Sequence, residues 1–347
     1  MDNRPVRTPI WNLLYAGVNI STRISPYVLS VAYTDNLDGQ ADDLEIVIED
    51  RDQRWMNGWM PEKGDTLKLT LGYEHERPIL DAGEFQIDEV EFNGPPDTIS
   101  IRALAAAVKP DLRTARSAAY ESTTLKGIAK KIADRHGLII IGTVPEVKLG
   151  RVTQHKETDL AFLRRIGQKW GYIFSVRGKQ LIWHDQDALD AAPAVLTITR
   201  KGLAGMYTLR TKSAGVYRAC KVTYFNAKLK KDVSHTFVAD GVTSGDILHL
   251  IERCESKAHA EKVAKAALRR KNGRHKEGEF PIYGDPKLRA GMNIILSGFG
   301  AFDDTYQALK VTHRIERGSG YITTANIGQN GSYGMKNLRN DKRLVKQ

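Results

Sequence analysis

Cysteine is scarce: Cys220 and Cys254 are the only two in 347 residues. They have neither C-x-x-C spacing nor a histidine pair nearby, which sets aside a disulfide framework and a zinc site. Both thiols read as reduced, small hydrophobes. Long apolar runs are missing as well. The run Leu138 to Ile141 is strand-sized, and nothing approaches the ~20 apolar residues of a membrane helix, so no membrane insertion is expected. The opening stretch MDNRPVRTPIWNLLYAG carries charge but no continuous apolar core and no small-residue cleavage site. It does not read as a secretion signal, and the chain is expected to be made in a cytoplasm and to stay soluble. Glycine and proline are not enriched enough for a fibre or a disordered chain.

Catalytic signatures are missing too. There is no G-x-x-x-x-G-K-[ST] phosphate loop, no G-x-S-x-G elbow and no H-E-x-x-H pair, and Gly298-Phe299-Gly300 reads as a turn. The nine histidines are dispersed; neither His249 with His259 nor His155 with His184 has ligand-like spacing. No catalytic residue, cofactor or metal is expected. The adjacent acids Asp42-Asp43 and Asp303-Asp304 call for one check, because a glycosidase needs two carboxylates roughly 5 to 9 Å apart. Neighbouring strand residues point to opposite faces, and both pairs sit beside turn residues, so they are expected as solvated turn acids.

What the chain has in excess is positive charge, a formal +11. It is concentrated late, in KAHAEKVAKAALRRKNGRHK from Lys257 to Lys276 and at Lys336, Arg339, Lys342, Arg343 and Lys346. A helix is expected over 254–271, with Val263, Ala264, Ala267 and Leu268 on its apolar side. Its charged side carries Lys257, Lys262, Lys265, Arg269 and Arg270, the candidate protein-interface residues. That face is either solvated, set against an acidic protein, or set against nucleic acid. Direct nucleic-acid binding is disfavoured, because no aromatic stacking pattern interleaves the charges.

The first hundred residues alternate as strands. Ile24 to Tyr33 closes at Thr34-Asp35-Asn36; Leu44 to Asp50, Thr66 to Leu71, Phe85 to Phe92 and Thr98 to Ile101 follow. Short alternating strands between turn residues predict an antiparallel sandwich or barrel. Past Pro110 the texture changes. Ser122-Thr123-Thr124 caps a helix carrying Leu125, Ile128, Ala129, Ile132 and Ala133, and Gly137 stops it. A second helix opens at Thr158-Asp159 and ends at Gly171, and a hairpin turns at Arg177-Gly178-Lys179. Strands return beyond Pro193: Val195 to Thr199, Val216 to Phe225 and Val233 to Ala239.

One pattern occurs twice. Gly64 precedes alternating Leu67, Leu69 and Leu71, then Gly72-Tyr73, then Phe85-Gln86-Ile87, a turn, and Ile99-Ser100-Ile101. Gly291 precedes Ile294 and Leu296, then Gly298-Phe299, then Tyr306-Gln307-Ala308, a Gly-rich turn, and Tyr321-Ile322-Thr323. The fold class predicted is mainly β with an α+β insertion: two antiparallel β-barrels flanking a small helix-containing domain. The expected divisions are 1–110 for the first barrel, with 195–210 returning to complete it; 111–190 for the middle; 195–327 for the second barrel with helix 254–271; and 328–347 for a basic tail.

The middle segment carries a more specific likeness. Thr124-Leu125-Lys126-Gly127-Ile128-Ala129, His136-Gly137-Leu138, the T-D-x-x-F-L-x-R step from Thr158 to Arg165, and Trp170-Gly171-Tyr172 resemble the phage late control protein D family. These are the tail hubs of P2-like and Mu-like contractile tails, with relatives in phage-derived bacteriocins and type VI secretion spikes. The likeness covers about residues 10 to 327 and is supported by Ala290-Gly291-Met292 and Leu296-Ser297-Gly298-Phe299-Gly300. It implies a tube-like character for the barrels and a homotrimer whose six barrels match a sixfold tail tube while three chains hold a threefold central spike. It further implies a place in the baseplate, with tail tube protein, central spike protein, baseplate wedge protein and tape-measure protein as neighbours. The competing reading is a tail-associated cell-wall hydrolase or glycan-binding module, since the middle unit bears a loose likeness to LysM-type modules.

Overall fold

The computed structural model describes residues 7–38, 41–105, 114–177, 179–212, 215–226, 229–238, 245–254, 256–273 and 275–329. The basic tail beyond Gln329 lies outside them, as does the stretch around Pro110. One sheet of thirteen strands runs through both ends of the chain, beside three small sheets.

The first unit follows from alternation. In Asp43–Glu49 the residues Leu44, Ile46 and Ile48 are buried and their neighbours are not. Each such aliphatic side chain contributes about 1.5–3 kcal/mol by leaving water. With Leu67, Leu69, Phe85, Ile99 and Tyr33 they make one core under Pro9–Tyr15, Val28–Asn36, Asp43–Glu49, Thr66–Tyr73, Leu80–Asn93 and Thr98–Ala105. The second unit has its own core, including Phe280, Ile294, Leu296, Tyr306 and Val311. Its strands are Ala194–Thr199, Thr208–Thr211, Lys276–Tyr283, Asn293–Ser297, Thr305–Glu316 and Gly320–Gln329.

The repeated pattern is a repeated geometry. Gly64 and Gly291 both hold positive φ, +98° and +90°, which a side chain would strain. The Gly64 amide donates to the Ile87 carbonyl at 2.9 Å and the Gly291 amide to that of Ala308 at 2.8 Å. Gln86 Nε2 reaches back to the Gly64 carbonyl at 2.8 Å, and Gln307 Nε2 to that of Gly291 at 3.5 Å. Immediately after, both long strands carry a bulge against the strand that follows, between Ile87 and Glu89 and between Ala308 and Lys310. The two units are joined through Thr305–Glu316, whose Lys310–Glu316 segment pairs antiparallel with Asn36–Ser30.

Three expectations change. Neither unit closes into a barrel by hydrogen bonds among the described residues; each is an open, largely antiparallel sheet. The stretch 195–210 does not return to the first unit: Ala194–Thr199 runs parallel to Asn293–Ser297, and Thr208–Thr211 pairs with Lys276–Glu279. Its place beside the first unit is taken by the long strand Thr305–Glu316, which offers a far longer ladder. The late helix, Lys257–Asn272, does not pack in the second unit's core. It covers a separate sheet of Tyr217–Asn226, Lys231–Val238 and Asp246–Ile251, with Cys220, Val222, Tyr224, Val263 and Leu268 between them.

The middle unit holds Leu125–His136 and Asp159–Lys169 against the sheet of Ile139–Ile141, Tyr172–Arg177 and Gln180–Asp185. Thr124 and Thr158 cap the helices, accepting from Gly127 and Ala161 amides at 3.0 and 3.1 Å. Gly137, at φ +66°, ends the first. The ladder Arg116–Thr124 with Lys148–Glu157 completes it.

Candidate interaction surfaces

The three units meet at a buried polar joint. Asp35 and Asp42 come from the first unit and are 0% and 1% exposed. Arg177, at the end of a middle-unit strand, donates to Asp35 at 2.8 Å and lies 3.5 Å from Asp42. Arg289, from the second unit, donates to the Tyr33 hydroxyl at 3.4 Å and to the Asp81 carbonyl at 2.9 Å. Tyr33 in turn donates to Asp42 at 2.9 Å, and the Ala290 amide to Asp35 at 3.3 Å. Burial, followed by the charge of Asp35, pushes the Asp42 carboxyl up to about 7 against the pull of Arg177. Asp42 is therefore not the solvated turn acid its neighbours suggested. Thr34-Asp35-Asn36, expected as a turn, continues the strand and carries the joint.

A second polar cluster explains the T-D-x-x-F-L-x-R step. Asp159, 0% exposed, opens its helix beneath the preceding one. Its carboxylate receives Arg135 and Gln154 at 2.7 and 2.8 Å and lies 2.7 Å from His136 Nε2. Burial opposes its charge, but the bonds from His136, Gln154 and Arg135 together hold the carboxyl below the usual range. Phe162 and Leu163, both 0% exposed, plug the core on the same turn.

The candidate basic face splits. Lys257, Lys262, Lys265 and Arg270 are exposed, Lys265 with Glu261 at 3.3 Å along the helix. Arg269 turns inward: only 15% exposed, it bonds Asp187 and the Gln186 carbonyl at 2.8 Å and also meets Asp190. Its role is to tie the helix to the middle unit. Trp170 and His259 add to that tie, stacked with centroids 3.9 Å apart. Burial pushes His259 down to about 4, so the ring packs as a neutral aromatic.

A cleft of about 1120 Å³ opens between the middle unit, this helix and the second unit, lined in part by Arg164, Gln168, Tyr172, Arg270 and Lys310. The two acids on its wall, Asp38 and Asp190, are already paired with Arg164 and Arg269. Asp303 is a turn acid, accepting the Phe299 amide at 2.6 Å, whereas Asp304 is buried and accepts from Gln329 at 3.1 Å. Among the described residues no group of three or more His, Cys, Asp or Glu is placed to hold a metal. Burial pushes the Cys220 thiol up to about 11, which makes it inert. No described helix is long and apolar enough to cross a membrane.

Two copies of one strand-and-bulge geometry, locked through buried polar joints and ending in sheet edges left unpaired among the described residues, are the build of a structural assembly protein. The chain belongs to the phage tail baseplate hub (GPD) family, whose profile matches residues 39–319. It is 27% identical over 279 residues to the "Probable baseplate hub protein" of Escherichia phage P2, covering 78% of this chain and 70% of that one. Its fold is similar to the 43 kDa tail protein of prophage MuSo2 from Shewanella oneidensis, with TM-score 0.72 and 11% identity over 94% of this chain and all of that one. It is also similar to the E. coli c3393 protein, a component of the type VI secretion system, with TM-score 0.53 and 13% identity over 87% and 73% of the two chains. The chain is thus a baseplate hub protein of a phage-type tail particle.

Proposed function

We propose that the chain acts as a homotrimer that adapts a sixfold tail tube to a threefold central spike in a contractile tail. The observation that supports this most is the duplicated geometry at Gly64–Ile87 and Gly291–Ala308. Two equivalent sheet units per chain let three chains offer six equivalent positions to a tube while keeping threefold symmetry for a spike. The tube protein, the central spike, a wedge protein and the end of the tape-measure protein are the neighbours this role requires. In this reading the exposed cations Lys257, Lys262, Lys265 and Arg270 face an acidic protein neighbour, and the chain carries out no reaction. Each acid pair that a hydrolase could use has one member buried in the fold, Asp42 at 1% and Asp304 at 9% exposed.

Native mass spectrometry of the full chain co-expressed with its spike tests the reading. A stoichiometry of three is expected; two or four copies would count against it.

A further inference from the structure

A groove of about 400 Å³ runs between the middle unit and the late helix with its sheet, and a strand edge forms one wall. Six consecutive residues, Lys148 to Thr153, line it. Successive side chains on a strand point to opposite faces, so such a run can line one groove only when the strand lies edge-on to it. That edge is open: among the described residues Lys148–Glu157 pairs with Arg116–Thr124 alone. Arg165 takes the Thr153 carbonyl at 2.8 Å, which leaves Lys148 to Val152 as the free stretch. Gly150 lies within it and has no side chain to hinder a close backbone. Opposite stand Leu250 and Arg253, at the end of Asp246–Ile251, itself the outer strand of its sheet. Trp170, Val263 and Ala267, all buried, make an apolar floor.

The charge of this groove is one-sided. Among the described residues the one acid on its wall, Glu252, is bonded to Lys169. Arg151 and Arg165 have partners in Glu121 and Glu157. Lys148, Arg253 and Arg270 are exposed on the groove and meet no carboxylate among the described residues. Concave walls of low dielectric focus the field of such cations on whatever enters.

We propose that this groove binds an extended acidic segment of another protein of the particle, which adds a strand to the Lys148–Val152 edge and sets its carboxylates against Lys148, Arg253 and Arg270. An open strand edge is matched by another polypeptide backbone, which supplies the main-chain hydrogen bonds while the side chains around it select the sequence. One face of the added strand rests on Trp170, Val263 and Ala267, so the segment alternates apolar and acidic residues. Nucleic acid is the poorer fit. Phosphates carry the charge but cannot continue a ladder, and Trp170 and His259 are stacked on each other at 3.9 Å, leaving no platform for a base. The chain's own tail, with Lys336, Arg339, Lys342 and Arg343, has the same sign of charge as the groove.

This proposal rests on the acidic-neighbour reading of the late helix and names where that neighbour is held. The test measures fluorescence anisotropy of a labelled synthetic peptide alternating Glu and Val, titrated with the full chain. Three controls accompany it: the same peptide with Lys for Glu, a fully N-methylated form that cannot pair its backbone, and a single-stranded oligonucleotide. Saturable binding of the acidic peptide is expected, weakened about tenfold in the chain carrying Arg253→Glu and Arg270→Glu together. No binding of that peptide, equal binding of its N-methylated form, or tighter binding of the oligonucleotide overturns the strand site. Charge reversal of Lys257, Lys262 and Lys265, which lie outside the groove, should leave the peptide's affinity unchanged. If those reversals impair tail assembly while the peptide fails to bind, the acidic-neighbour reading stands without the groove; if neither effect is seen, both fall.

Discussion

Arg177 donates to Asp35 across 2.8 Å, and the two residues lie on strands that feed different cores, Tyr172–Arg177 and Val28–Asn36. The contact fixes the middle unit on the first sheet at the point where the second unit's Arg289 also arrives. A buried carboxylate between two units is stable only while a cation from the neighbour compensates it.

Removing that cation should loosen the joint. Arg177→Ala leaves Asp35 buried and unpaired, which costs about 3 kcal/mol, the low end for a broken buried pair because Arg177 is itself partly exposed. Urea denaturation should show the loss, with Arg177→Lys falling between. A variant within experimental error of the wild type would show that Ala290 and neighbouring donors hold Asp35 alone.

Asp42 gives the joint a pH dependence of definite sign. Its folded-state carboxyl, at about 7, lies above its ordinary value of 3.8. Between those values the folded chain holds a proton that the unfolded chain releases, so Asp42's contribution to stability falls as pH rises. Asp42→Asn should therefore gain thermal stability over the wild type on going from pH 5 to pH 8. The opposite trend would show that Arg177 dominates burial.

The Asp159 cluster has the reverse sign. Its carboxyl is held below the ordinary range, so its stabilisation is complete at neutral pH and fades as pH falls through the folded-state value. Asp159→Asn should cost about 2–3 kcal/mol at pH 7, the worth of charge-assisted hydrogen bonds, and less near pH 3. Chemical denaturation at the two pH values checks it.

The repeat makes a paired comparison available. Alanine at Gly64 or Gly291 meets the same unfavourable φ, at about 1–3 kcal/mol. At Gly291 its Cβ would also lie 3.0 Å from Leu37 Cδ1, whereas at Gly64 the nearest atom, Gln86 Nε2, is 3.7 Å away. Gly291→Ala should be the more destabilising of the two by thermal denaturation.

Much of this was readable beforehand for physical reasons. Leu44, Ile46 and Ile48 alternate, and Thr124 and Gly137 bracket a helix, because period and capping are local properties. The echo at Gly64 and Gly291 was visible because a positive-φ glycine and an inward aromatic are both hard to replace. Pairing partners were not legible: nothing local in 195–210 says that it joins Asn293–Ser297 and Lys276–Glu279. The strands Arg116–Thr124 and Lys148–Glu157 were missed because their few buried residues are diluted by polar ones. Arg269 falls among the candidate protein-interface cations because helix spacing cannot show that Asp187 and Asp190 wait across a domain boundary. Asp42 was misjudged for the same reason, its burial being supplied by distant Arg177 and Tyr33.

The central claim is that one chain supplies two equivalent positions in the ring that meets the tail tube. A reconstruction of the assembled tail tip, computed without imposed symmetry, measures this directly. The account predicts three copies whose first and second units alternate around a six-membered ring, with the Ile87–Glu89 and Ala308–Lys310 bulges at equivalent heights. Six copies in that ring, or three copies with only one unit of each in it, would contradict the account.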